Sequence, residues 1–197
     1  MQAQIEKRGE RIFDLVDRHP ESIFSKAGFY QQMMALSMRN ERFKVQMFRF
    51  VDVLASLEET PRRLQALVGG WPRDAFERSY APGKWTARQI LAHLAQTEMV
   101  FANRLRFGLT MPDYVVQPFD QDEWMAVDEG MDAESALAAY LALRRLNVRV
   151  CRRLTPEQRT RPFTHPERGT IDLDWSMAMF AGHERHHLTQ LEKIAGA

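Results

Sequence analysis

Cysteine is nearly absent: Cys151 is the single one among 197 residues. No disulfide can form within the chain, and no multi-cysteine zinc site can be built. Its neighbours Val148, Val150 and Leu154 predict a buried, inert thiol. An excess of one charge is missing too. With 27 basic and 26 acidic residues the net charge is +1, so no strong field gathers nucleic acid or an anionic membrane. Arg144, Arg145, Arg149, Arg152 and Arg153 alternate with apolar residues and are expected on one helix flank. No apolar run approaches the ~20 residues that span a bilayer, and MQAQIEKRGER lacks the apolar segment of a signal peptide. A cytoplasmic protein is the expected class. Strand signals are weak, with no sustained alternation and no Asn-Gly or Asp-Gly hairpin turn.

What is present is helical periodicity broken by grouped prolines and glycines. Helices are expected over 3–18 and 28–38, the second rich in methionine (Met33, Met34, Met38). A long helix follows over 40–68, with a kink or break near Thr60-Pro61 and a stop at Gly69-Gly70. APGKWT at 81–86 reads as a turn and helix start, Thr86 capping with Gln89 three residues on. That helix runs to about Phe107. Residues 108–131 read as a long connection with a short helix near 119–126, then come a helix over 133–153, a loop at 164–170 and a last helix over 174–194. Four long amphipathic helices, two short links and one long one describe an all-α four-helix bundle.

Histidines carry the chemistry. His93 shares the inward stripe of Ile90, Leu94, Thr97, Phe101 and Leu105. His183 and His187, four apart, lie ~40° and ~6 Å from one another on one face of the last helix. Three imidazoles pointing into a core are the donor set of a catalytic metal site with an open position, and histidine-only ligation suits zinc, nickel or iron. His186 sits ~60° round the helix from His183 and is expected beside the site or at an interface. His19 and His165 precede prolines and are expected on the surface. HERHH also fits H-E-x-x-H, with Glu184 as base. That reading fails because only ten residues follow His187, too few for a downstream third ligand. Glu184 turns ~100° from His183 and is expected in solvent. Gln96, Glu98 and Gln190 are candidates to orient the imidazoles. Trp85 and Trp175 are expected as anchors, and Trp124 at the pocket mouth.

APGKWTARQILAHLAQTE (81–98), QPFDQDEW (117–124), HPERG (165–169) and GHERHHLTQLEKI (182–194) together resemble the DinB/YfiT-like superfamily of metalloproteins, over about 45–197. The resemblance implies a DinB-like four-helix bundle with the long crossover between helices 2 and 3. It implies a divalent metal ion on His93, His183 and His187. It also implies activity on a small-molecule substrate. Family members include thiol-dependent S-transferases using bacillithiol or mycothiol, and metal-dependent hydrolases or isomerases. Transfer of a low-molecular-weight thiol to a small electrophile is the expected reaction, with hydrolysis or a non-catalytic stress-response scaffold as alternatives. Residues 21–57, above all KVQMFRFVDVL, resemble the helical arm of bacterial proline dehydrogenases without the flavin barrel. The expected division is a helical extension over 1–44 and the metal-binding bundle over 45–197, the extension packing on the bundle or on a second copy, with a homodimer as the assembly.

Overall fold

The computed structural model describes residues 50–196. The helices expected over 3–18 and 28–38, His19, and most of the arm-like segment lie outside these residues. Within them the order is α1 (Phe50–Val68), a 3-10 turn (Arg73–Glu77), α2 (Ala87–Thr110), α3 (Gln121–Val127), α4 (Ala133–Cys151), α5 (Pro156–Arg159), β1 (Phe163–His165), β2 (Gly169–Ile171) and α6 (Leu173–Ala195).

Three of the long helices, α2, α4 and α6, begin where the sequence provides caps. Thr86 and Gln89 form a reciprocal capping box on α2, satisfying two backbone donors that the helix itself cannot. Asp132 caps α4 through Ser135 N–H, and Asp172 caps α6 through Trp175 N–H. The four long helices form a bundle whose neighbours run α1, α4, α2, α6 and back to α1. The consecutive helices α1 and α2 therefore face each other across a diagonal. The crossover from α2 to α4 carries α3, which packs on α2. Ile90, Leu91 and Leu94 of α2, Tyr140 of α4 and Leu188, Leu191 and Ile194 of α6 make the core, with Leu64 of α1.

Two local expectations are corrected. A break at Pro61 does not occur: α1 continues through it. Proline lacks the N–H that would pair with the carbonyl four residues back, here that of Leu57. Arg144 Nη1 donates to that carbonyl at 3.3 Å, so the orphaned acceptor is satisfied from α4. The second correction concerns the loop at 164–170, part of which forms a small antiparallel hairpin, Phe163 paired with Ile171 and His165 with Gly169. Pro166 leads the turn, Arg168 N–H donates to the His165 carbonyl at 3.1 Å, and Gly169 closes it at φ 71°, a left-handed value that glycine adopts without a Cβ penalty. Three-residue strands are too short for alternation to register in sequence.

His165 is also corrected, from surface to buried. Its Nδ1 accepts the Glu167 N–H at 3.2 Å. Burial first, then the charges of Arg104 and Arg168, push its pKa down to about 4. The folded chain thus refuses a proton that the unfolded chain takes near the ordinary value of ~6.5. His165 costs nothing above that value, and its share of stability is lost as pH falls toward about 4. In metal-free protein, His165→Asn keeps an acceptor near the Nδ1 position. The slope of unfolding free energy against pH between about 4.5 and 6 should then shrink by up to ~1.4 kcal/mol per pH unit, one proton's worth. Urea titrations across that range read it; an unchanged slope would refute the assignment.

Candidate metal centre

Three imidazoles meet between α2 and α6. His93 Nε2 lies 3.0 Å from His183 Nε2, and His187 Nε2 lies 3.1 Å from the same atom. One ligand atom from each residue can be chosen so that all three fall within 4.8 Å of one another. His93 and His187 are buried and His183 is half-buried. The site needs only two helices: residue 93 sits on the inward stripe of α2, and residues 183 and 187 stack one turn apart on α6.

The three rings are held neutral. Burial pushes His93 down to about 2, helped by the charge that His187 would carry. His183 and His187 are driven well below the ordinary imidazole value, by burial first and then by neighbouring histidines. Neutral rings offer lone pairs. Hydrogen bonding cannot use them all: one His183 Nε2 faces two other Nε2 atoms, and a proton there can serve one contact at a time. His93 Nδ1 and His183 Nδ1 are buried without hydrogen-bond partners. A cation among the Nε2 atoms would accept all three lone pairs. Tetrahedral zinc with Zn–N of about 2.0–2.1 Å spaces its donors roughly 3.3 Å apart, close to the two shorter separations. The donor set therefore fits a divalent ion.

Surrounding groups orient the rings. His187 Nδ1 contacts Gln190 Oε1 at 2.8 Å, and the Gln190 amide nitrogen reaches Tyr80 Oη at 3.3 Å and His186 Nε2 at 3.0 Å. Trp85 stacks on His187 at 6.2 Å between ring centroids and tilts against His93 at 4.8 Å. The anchor expected at residue 85 is thus a wall of the triad, and Tyr80 is a contributor the sequence reading missed.

The other candidates go elsewhere. Gln96 donates to the Trp124 carbonyl at 3.0 Å and to Asp128 at 2.7 Å, tying α3 to α2. Trp124 itself packs on Phe119 at 5.0 Å. Glu98 binds Arg144 and accepts from Asn147 Nδ2 at 2.9 Å. Glu184 is corrected from solvent to core: it is 1% exposed, pairs with Arg144 and accepts from Tyr140 Oη at 3.3 Å. Arg144, expected on a helix flank, is equally buried at 1%. One guanidinium thus joins carboxylates of α2 and α6 with a carbonyl of α1. Its place was readable, because Ala136, Tyr140, Arg144, Asn147 and Cys151 form one 3/4-spaced stripe of α4. Cys151 is buried as expected, its thiol pushed up to about 12 chiefly by burial.

The family model described as the DinB superfamily matches residues 56–191. The chain belongs to this superfamily. A DinB-like bundle is what the neighbour order describes. Among its relatives, a protein of Oceanobacillus iheyensis, named as a metal-dependent hydrolase without an established activity, is 29% identical over 79% of this chain and 96% of its own. A second, similarly named protein of that organism is 30% identical over 72% of this chain and 82% of its own. The solved structure of YfiT from Bacillus subtilis, described as a probable metal-dependent hydrolase with an unusual four-helix bundle topology, superposes with a TM-score of 0.68. The match is 26% identical and covers 75% of this chain and 86% of that one. A mycothiol-dependent maleylpyruvate isomerase shares the fold at a TM-score of 0.62 and 14% identity, over 73% of this chain and 61% of that one. No helix among the described residues is long and apolar enough to cross a membrane.

Proposed function

We propose that His93, His183 and His187 hold one divalent metal ion, zinc, nickel or iron, and that the chain is a metal-dependent enzyme acting on a small molecule. The convergence of three neutral Nε2 atoms carries this reading, and the metal-dependent names of its relatives agree with it. When bound, such an ion supplies an open position that stabilises a thiolate or lowers the pKa of water.

The reaction we favour is transfer of a low-molecular-weight thiol to a small electrophile. The sulfur bonds to carbon, the leaving group departs with the carbon–leaving-group electron pair, and the thiol proton is released. Such a nucleophile needs no separate carboxylate base, and Glu184, the carboxylate next to His183, is engaged by Arg144 and Tyr140. Hydrolysis is the second reading, supported by the names of the relatives. A cytoplasmic homodimer completes the proposal, in a compartment that keeps thiols reduced.

The test has two stages. Protein purified without chelator should carry close to one metal per chain by elemental mass spectrometry; no bound metal and no uptake of zinc, nickel or iron would overturn the proposal. The loaded protein should then accelerate conjugation of monochlorobimane to bacillithiol, mycothiol or cysteine. Acceleration of ester or amide cleavage alone would favour hydrolysis. A biological role that survives His93→Ala and His187→Ala would leave only a scaffold.

A further inference from the structure

We propose that Gln190 is a positioning residue for the metal centre, holding His187 in its Nδ1–H form through its carbonyl oxygen while its amide nitrogen is tied to Tyr80 and His186. The inference rests on the metal reading above and adds a device that the triad alone does not contain.

A neutral imidazole carries its proton on one nitrogen only. For His187 to offer Nε2 to an ion, the proton must sit on Nδ1. That nitrogen faces Gln190 Oε1 at 2.8 Å, and a carbonyl oxygen can only accept. The amide has a second orientation, turned by half a rotation, that would present its NH2 to Nδ1 and force the proton onto Nε2. Two further contacts are coupled to that choice. In the orientation observed the amide nitrogen lies 3.0 Å from His186 Nε2 and 3.3 Å from Tyr80 Oη, so each N–H has an acceptor. The turned amide would instead need His186 in its Nε2–H form and the Tyr80 hydroxyl rotated to donate, so the amide orientation and the tautomers of both rings are coupled. His186, one residue before His187, thus acts without entering the triad. Tyr80 belongs to the link between α1 and α2, so the Gln190 amide is held partly from outside α6. Such partners of a ligating histidine typically matter 10- to 100-fold in metal affinity.

The experiment uses the full chain with Co2+ as the probe, titrated against a chromophoric chelator. Long-range 1H–15N spectra of the metal-free protein report the His187 tautomer directly. The wild-type ring should be the Nδ1–H form. Gln190→Leu removes acceptor and donors together and should weaken Co2+ binding about 10- to 100-fold, with the His187 ring shifting toward the Nε2–H form. Gln190→Glu keeps an accepting oxygen and should stay within a few-fold of wild type. Tyr80→Phe should produce a smaller loss than Gln190→Leu. Should Gln190→Leu not fold, Gln190→Asn carries the test, its amide stopping one methylene short of the ring. Wild-type affinity in a folded Gln190→Leu, or an Nε2–H ring in the wild-type protein, overturns the proposal. A wild-type chain that binds no Co2+ would sink the metal reading instead, while the spectra still decide the tautomer.

Discussion

His183→Leu should weaken metal binding about 10²–10³-fold while leaving the metal-free bundle at least as stable as wild type. His183 Nε2 is the atom that both other ligands approach, so its loss dismantles the cluster. Structural zinc sites gain about 10–16 kcal/mol in total, or roughly 3–4 kcal/mol per ligand, which corresponds to a fall in affinity of about 10²–10³-fold. Stability should move differently. His183 Nδ1 is buried without a partner, and a buried unsatisfied polar group costs about 1–3 kcal/mol. Leucine fills most of the ring's volume without that cost. Thermal melts with and without Zn2+ separate the two effects, because a ligand that binds only the folded state raises its melting temperature. At one zinc concentration, wild type should gain clearly more than the variant. A variant that melts well below wild type without metal would show that the imidazole serves packing.

Arg144→Met should be among the most destabilising single changes in the bundle. It leaves the carboxylates of Glu98 and Glu184, 0% and 1% exposed, facing each other with no cation between them. It also strips the donor from the Leu57 carbonyl that Pro61 leaves unpaired. Breaking a buried pair by removing one partner costs about 3–5 kcal/mol, a large part of the ~5–15 kcal/mol that holds a domain together. For a chain of this size that is a drop of roughly 10 °C in melting temperature. The triple change Glu98→Leu, Arg144→Met and Glu184→Leu should recover most of the loss, because desolvating the charges offsets much of what their attraction returns. Urea unfolding of both variants checks this. A single variant within about 1 kcal/mol of wild type would mean that water reaches the cluster.

Features written in local patterns were legible in the sequence. Thr86 and Gln89 announced the start of α2, and the four-residue spacing of His183 and His187 announced a shared face. His93 followed from its apolar stripe. What stayed hidden depended on partners distant in the chain. Glu184 looks solvated on a helix wheel until Arg144 of α4 is placed against it, and although the stripe of α4 carries Arg144 inward, nothing local names the two carboxylates that meet it. Pro61 looks like a break until the same arginine supplies the missing donor. His165 looks exposed because proline follows it, yet the hairpin folds it inward. The triad's reach from residue 93 to residue 187 was proposed on helical phase; the Tyr80 and Trp85 contacts had no such signal.

The diagonal placement of α1 and α2 has a price in chain length that the site turns to use. Helices that sit side by side can be joined by a tight turn, whereas these two are joined by residues 69–86, which pass against the C-terminal part of α6. That route carries Tyr80 to Gln190 and Trp85 to His187 and His93. The strap that makes the topology passable is therefore also one side of the histidine cluster. Without it the three histidines would lose the Tyr80 and Trp85 contacts on that side.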